Sequence, residues 1–398
     1  MSNVPKLRFS EFSGEWEEKK LENIFKITAG GDIKPENVSL FKDDIFKYPI
    51  YANAEKNKGF YGYANIYKIE ANVITVAGRG VNLGIAHARK HKFYPIVRLL
   101  VLNPKIESNI DFFEYQINNL NMLIESTGVP QLTAPQISKY KICFPSKQEQ
   151  EKIASFLTSV DTKIEQLTKK ESLLQEYKKG VMQKIFNQEI RFKDDDGSEF
   201  CEWEEKTLGQ LIKFLSDYTA NGSFASLKEN VTYYSEKNYA VLVRTTDLEK
   251  DTFNPQRFTD KQGYDFLKKT SLFGGEIILA NVGSIGKVYK VPYYNHPMTL
   301  APNTYVLKFE KIVNENFIFQ VMLRSQFKNK LLSMVGSSTL MAINKSNLRS
   351  IKIDIPSIKE QTKIANFLSS IDKKIENTKK ELEKTKEFKK ALLQQMFM

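Results

Sequence analysis

The chain has 398 residues, 41% hydrophobic, 12% aromatic and 27% charged, with a formal net charge of +12 at pH 7. This is more than one ordinary domain, fits two to four, and carries enough apolar material for real cores, which excludes a disordered chain. No run approaches the ~20 apolar residues of a membrane span. The opening MSNVPKLRFSEF lacks the apolar stretch of a secretory signal, and Cys143 and Cys201 are too few and too far apart for a disulfide framework. The expectation is a cytoplasmic protein with no membrane partner. The basic excess is spread along the chain, which suits a polyanion partner; a lysine-rich solvated surface gives the same balance.

In chain order, Arg8-Phe9 is followed by EWEEKKL at 15–21. Short apolar runs bounded by turn residues, NVITVAG (72–78) and PIVRLLVL (95–102), predict strands. Between them runs Gly78-Arg79-Gly80-Val81-Asn82-Leu83-Gly84. No G-x-x-x-x-G-K-[ST] is present and no G-x-G-x-x-G opens a helix, so a hairpin turn is expected rather than a nucleotide cradle. His87 and His91 stand four apart without the glutamate of H-E-x-x-H and are read as surface residues. A helix is expected over 111–124, then a polar loop, STGVPQLTAPQ (126–136), and a strand, KICFP (141–145).

The segment PSKQEQEKIASFLTSVDTKIEQ (145–166) opens a long helix. Ser146 and Glu149 have capping-box spacing behind a proline. Ile153, Leu157, Val160 and Ile164 step by four and three, an a/d seam flanked by charge. About 40 helical residues make a rod of roughly 60 Å that lacks a core of its own.

The second half repeats this frame. RFKDDDGSEFCEWEEKTL echoes the opening, with Trp203 in the place of Trp16. Asp194, Asp195 and Asp196 read as a solvated linker. Strands are predicted at AVLVRT (240–245), EIILANVG (276–283) and NTYVLKF (303–309), with a second hairpin turn over 281–287. A helix at 315–332, a loop GSSTLMAINKSN (336–347) and a strand KIDIP (352–356) follow. The closing PSIKEQTKIANFLSSIDKKIEN (356–377) carries the same Ser-x-x-Glu and the same stepping, Ile364, Leu368, Ile371 and Ile375. Laid on one another, 143–187 and 354–398 align without a gap and are identical at nearly half their positions. The interiors, about 27–125 and 214–335, show no such match. A repeated frame thus surrounds divergent centres.

The second centre leaves the end of the first helix and enters the start of the second. Domain termini usually lie close together, so the two helices are expected to run antiparallel. The predicted architecture is α+β: two mixed β-rich domains separated by two long antiparallel coiled-coil helices, an internal pseudo-two-fold repeat. The segments are 1–142, 143–187, 188–353 and 354–398. Glu171, Lys178, Thr378, Thr385 and Lys389 interrupt the apolar seam. They set register, mark a bend or simply face solvent.

No G-x-S-x-G, supported cysteine–histidine pair or metal-ligand cluster is evident, and neither a cofactor glycine motif nor an N-P-P-F/Y motif of an adenine methyltransferase is present. Catalysis is therefore not expected of this chain. The PKLRFSEFSGEWEEKKL opening, its echo and the paired P-S-x-x-E-Q-x-K-I-A-x-F-L helices resemble, over nearly the whole chain, the specificity subunit of a type I restriction–modification enzyme. The resemblance implies that each centre is a target-recognition domain reading one half of a bipartite double-stranded DNA site, with the helices setting the unread spacer. It implies two modification subunits as partners, supplying S-adenosylmethionine and N6-adenine methyl transfer, and restriction subunits, two where present, using ATP and Mg2+. No cofactor is then expected in this chain.

Major-groove reading favours arginine and lysine on guanine and asparagine and glutamine on adenine. Half-sites one turn apart, ~34 Å, can be faced from one side of the duplex. Candidates in the polar loops are Asn53, Lys56, Asn57, Lys58, Arg79, Asn82 and Gln131 in the first centre, and Asn281, Ser284, Lys287, Asn344 and Lys345 in the second. Phe60, Tyr61, Tyr63 and Tyr67 could stack on bases or pack in the core. Two other classes remain open on sequence alone: a coiled-coil adaptor whose end domains bind proteins, and an enzyme with an unrecognised site.

Overall fold

Both proline-led segments form single helices, Lys147–Phe186 of 40 residues and Ile358–Met396 of 39 residues. The computed structural model describes residues 3–54, 56–80, 82–120, 122, 131–249, 252–334 and 342–397. It divides into two units, Met1–Glu171 with Asn377–Met398, and Ser172–Glu376. Each unit contains the start of one long helix and the end of the other. Among the described residues no helix is long and apolar enough to cross a membrane.

Inside unit 1 the helix segments run antiparallel. Asp161 meets Lys389 at 2.5 Å and Lys163 meets Glu381 at 2.9 Å, while Ile153 and Leu157 share a core with Leu392, Met396 and Phe397. Inside unit 2 the direction is the same: Lys178 meets Asp372 at 2.5 Å and Phe186 shares a core with Ile364 and Leu368. The seam residues Ile153, Leu157, Val160, Ile364, Leu368 and Ile371 are buried, and Ile164 and Ile375 half-buried. Their burial has a second partner. The same face packs on the sheet-rich interior, on Phe112 and Phe113 in unit 1 and Phe317 and Val321 in unit 2. Of the polar interruptions, Lys178 and Lys389 each find an aspartate across the pair.

The Ser-x-x-Glu reading holds for the serine of the second helix, where Ser357 Oγ accepts from the Glu360 N–H (3.4 Å), and needs correction for the glutamates. Glu149 does not reach back over its helix start; Arg8 donates to it through Nε (2.8 Å) and Nη2 (2.7 Å). Glu360 accepts from Arg191 in the same way, at 3.3 and 3.0 Å. A bidentate guanidinium holds a carboxylate more strongly than a backbone N–H does. The short repeat and the long repeat are thus one structural element. Trp16 packs edge-on against Phe112 and Phe397, and Trp203 against Phe317 and Phe186. Gln150 accepts from the Asn109 N–H and donates to the Pro145 carbonyl; Gln361 does the same with Asn314 and Pro356. Asp194 and Asp195 are not a free linker. They pair with Lys359 (3.2 Å) and Lys363 (2.6 Å) at the start of the second long helix.

In unit 1 the strands are β1 (Glu17–Lys20), β2 (Phe25–Ala29), β3 (Val38–Ser39), β4 (Tyr48–Tyr51), β5 (Phe60–Ala64), β6 (Val73–Val76), β7 (Ala86–Arg89), β8 (Tyr94–Pro95), β9 (Leu100–Pro104) and β10 (Lys141–Phe144). They form sheets β1-β10, β2-β9-β6-β7 and β3-β5-β4-β8. In unit 2 they are β11 (Glu204–Thr207), β12 (Ile212–Asp217), β13 (Ala240–Val243), β14 (Phe258–Thr259), β15 (Ser271–Leu272), β16 (Ile277–Ala280), β17 (Val288–Lys290), β18 (Met298–Leu300), β19 (Thr304–Phe309) and β20 (Lys352–Ile355). Their sheets are β11-β20, β12-β19-β16-β17 and β14-β13-β18-β15. The first four-stranded sheet has one antiparallel plan in both units. In the second, an antiparallel pair meets a parallel one in each unit, β5-β4-β8 matching β14-β13-β18. The unmatched interiors therefore share one core fold and differ at one edge of the second sheet, where β3 adds beside β5 in unit 1 and β15 beside β18 in unit 2.

The continuous apolar runs have a physical cause. Alternate residues of β6 and β9 feed two cores: Ile74, Val76, Leu100 and Leu102 face the long helices, while Val73 and Val101 pack with Tyr51 of the second sheet and with Phe93. In unit 2, Ile277, Leu279 and Leu307 take the first role and Ile278 and Val306 the second. Both faces are covered, so alternation disappears. Several boundaries differ from the sequence expectation. The strand predicted over 95–102 breaks where Val97 (φ 52°) and Arg98 (φ 58°) turn left-handed. The first helix spans Ile110–Asn118, and the one expected at 315–332 is two, Glu315–Met322 and Ser325–Ser333.

Candidate nucleic-acid interface

In unit 1 several loops meet at Gly78. Asn53 ties in the 52–59 turn: its Oδ1 accepts from the Gly78 N–H (2.9 Å) and its Nδ2 donates to the Val97 carbonyl (2.6 Å). Leu132 N–H donates to the Gly78 carbonyl (2.8 Å), and Arg79 bridges Gln131. A Cβ on Gly78 would sit 2.9 Å from the Leu132 carbonyl oxygen and 3.2 Å from that of Arg98, so glycine permits this approach. Unit 2 builds the same junction from other residues. Ile343 N–H donates to the Asn281 carbonyl and Asn281 N–H to the Asn303 carbonyl, both at 3.1 Å, and Val282 bridges Ala342.

The candidates fall into different positions around these junctions. Asn57, Lys58 and Arg79 are exposed, and Asn82 and Gln131 half-buried, on one loop cluster of unit 1. Asn53 uses both ends of its amide to fasten loops. The Lys56 side chain, Val81 and residues 126–130 of the polar loop lie outside the described residues, as do 336–341 of its counterpart. In unit 2, Asn344 caps helix Lys345–Ser350 by accepting from the Asn347 N–H (2.7 Å). Lys345 pairs with Asp217 (3.0 Å), and Lys287 with Glu249 (2.7 Å). Ser284 is half-buried. Asn281 holds a buried Oδ1 with no hydrogen-bond partner among the described residues. It lines a cleft of about 430 Å³ with Tyr218, Phe224, Tyr233 and Asn303. Aromatic faces beside amides suit the flat, polar edge of a base. The four aromatics singled out in unit 1 behave differently: Phe60 stacks on Tyr51 and Tyr63, Tyr67 on Tyr48, and Tyr61 is exposed.

Each interior so built is framed by one copy of the repeat. The model of the type I restriction modification DNA specificity domain matches the chain twice, over residues 13–175 and 201–387. The chain belongs to that family. Each match of the specificity domain runs from the short repeat through the interior into a long helix. A putative type I specificity subunit of Mycoplasma pneumoniae is 34% identical over 138 residues, 35% of this chain and 38% of its own length. The putative type I restriction enzyme MjaX specificity subunit of Methanocaldococcus jannaschii is 26% identical over 384 residues, 93% of this chain and 82% of its own. The crystal structure of a type I restriction–modification S subunit from M. genitalium superposes with a TM-score of 0.64 at 17% identity, covering 99% of both chains. These likenesses give no support to the adaptor reading.

Sequence reasoning missed three features of the specificity-domain loops. Val97 and Arg98 are exposed on a left-handed turn hidden within a strand-like run. Asn303 (φ 68°) occupies the corresponding turn between β18 and β19. Arg89, at the end of β7, is 4% exposed; its guanidinium lies 3.6 Å over the Tyr51 ring and donates to Thr75 Oγ1 (2.9 Å) and to the Lys58 carbonyl (2.5 Å). Burial pulls its pKa below the usual arginine value. A strand ending in arginine gives no sequence sign that the arginine turns inward. His87 lies beside Glu114 (3.4 Å) and His91 beside the Tyr51 hydroxyl (2.9 Å).

Proposed function

We propose that this chain is the DNA-reading subunit of a type I restriction–modification enzyme, each interior recognising one half of a bipartite double-stranded target. One observation carries the reading: two interiors without a sequence match share one fold on duplicated frames. A conserved plan with different loops is what two readers of different half-sites require. The assigned segments are 1–142 and 188–353 for recognition and 143–187 and 354–398 for the spacer. The DNA-contacting candidates are Asn57, Lys58, Arg79, Asn82 and Gln131 in the first and Asn281, Ser284, Lys287 and Lys345 in the second; Asn53 and Asn344 act by fastening the loops that present them.

The chain works without a catalytic residue or cofactor of its own, in the cytoplasm. Two modification subunits supply S-adenosylmethionine and adenine methylation. Restriction subunits, where present, supply ATP- and Mg2+-dependent cleavage. The test is selection of duplexes from a random pool by the chain purified with its modification partner. The expected product is two short motifs at fixed separation, with affinity falling steeply with salt. Absence of any motif, or one uninterrupted motif, contradicts the reading.

A further inference from the structure

A buried cation is normally matched by an anion, because an unpaired charge in a protein interior is costly. Arg89 departs from that pattern: among the described residues no carboxylate forms an ion pair with its guanidinium, and Glu114, which lies at His87, acts on it only through space. Its Nε and Nη2 are held by a hydroxyl and a carbonyl and its face by Tyr51, which fixes the plane of the guanidinium. The Tyr51 hydroxyl also favours the charged form of Arg89, yet burial outweighs it. Arg89 lines a cleft of about 270 Å³ together with Lys58, Asn82, His87 and Thr75. The carbonyl that orients Arg89 belongs to a turn in which Asn57 (φ 51°), Lys58 (φ 54°) and Gly59 (φ 82°) are all left-handed. Such strain is retained where the surrounding structure requires it, commonly at ligand sites. Lys58, which is exposed, and Asn82, which is half-buried, bring the cleft to the loop cluster assigned to DNA.

We infer that this cleft is a phosphate seat, with Arg89 as its charged floor and Lys58 and Asn82 at its rim, and that its occupant is one backbone phosphodiester of the bound DNA. The inference rests on the DNA-reading assignment for its occupant, though not for its chemistry. A phosphate oxygen supplies the close anionic partner that Arg89 lacks among the described residues. A contact of this kind positions the domain on the duplex and carries no sequence information.

Two arms test it on the full chain. The first uses inorganic phosphate and the three histidines as probes. His87 lines the cleft, His91 lies on the Tyr51 hydroxyl within the field of Arg89 and His296 is in the other unit, so phosphate should shift the first two ring signals and leave the third. R89Q should abolish the shifts and K58Q, at an exposed rim position, should weaken binding severalfold; an unchanged His296 signal in R89Q reports that its own unit is still folded, and the K58Q arm decides the matter if unit 1 of R89Q does not fold. No shift in the wild type, or shifts of wild-type size and affinity in both K58Q and R89Q, overturns the seat.

The second arm uses the selected target with single neutral methylphosphonates along its backbone, bound by the chain with its modification partner. Wild type should lose about tenfold at one position, the size of a charged hydrogen bond. R89Q, or K58Q in part, should lose that sensitivity at that position alone, and the salt slope should fall by about one. Histidine shifts without such a position would leave a site for free phosphate and overturn the DNA occupant. Failure to select any target would sink the DNA-reading assignment while leaving the histidine arm to judge the seat.

Discussion

Asp161 accepts Lys389 at 2.5 Å, and Asp372 accepts Lys178 at the same distance. The two pairs are one interaction repeated: Asp161 and Lys178 occupy in the first helix the positions of Asp372 and Lys389 in the second. Each aspartate also anchors its interior, Asp161 through the Tyr115 hydroxyl (2.6 Å) and Asp372 through the Gln320 amide (2.9 Å). Reciprocal use of the same residues is the signature of self-complementary pairing.

A charge swap should therefore be tolerated where a single reversal is not. Lys178 is 15% and Asp372 41% exposed, so solvent screening limits the pair to about 0.5–1 kcal/mol. K178D or D372K alone should lose at least that much in urea denaturation, and the double variant should recover most of it. A coupling energy of zero would show that the lysines only fill solvent-facing breaks in the seam.

The Arg8–Glu149 pair separates two accounts of the Ser-x-x-Glu motif. Glu149 is almost wholly buried, and removing one member of such a pair strands the other. E149A should cost about 3–5 kcal/mol, whereas S146A should cost no more than about 1 kcal/mol, the range of a lost cap. E360A should resemble E149A. Equal effects of E149A and S146A would return the motif to a capping role.

Two turn residues make opposite predictions. Val97 is 53% exposed and branched at Cβ, yet sits at φ 52°. V97G should stabilise the protein by up to about 1 kcal/mol, since strain of this order is relieved at little loss of packing. Gly59 (φ 82°) has no such freedom: a Cβ would stand 2.4 Å from the Ala52 carbonyl oxygen. G59A should destabilise by at least about 1 kcal/mol and weaken DNA binding. Thermal denaturation of both variants checks the signs; destabilisation by V97G would mean that the valine side chain has a packing role there.

The long helices and the apolar strands β6, β10, β13, β16, β19 and β20 were legible because their signals are local and repeated: a stepping seam, a proline-led start, short apolar runs. The shared topology of the interiors was not. Ile74 and Ile278 are buried in different cores by the same sheet plan, and any apolar residue of suitable size satisfies either place. Glu149 was misread because a glutamate three residues into a helix looks the same in sequence whether it turns to its own backbone or to Arg8. Among the loop candidates, Asn53 and Asn344 illustrate the limit. An amide that can read adenine can equally fasten a turn or cap a helix, and only the fold tells which. Arg89 was passed over for the converse reason, since its burial depends on Tyr51 and Lys58, both about thirty or more residues away.

The central claim is that two alike domains read two different half-sites. Its most direct measurement is the methylome of cells carrying the modification partner with this chain, and with a chain whose residues 27–142 are exchanged for those of a relative with another target. The account predicts a bipartite methylated motif in which the exchange alters one half and leaves the other unchanged. Alteration of both halves, or of neither, would contradict it.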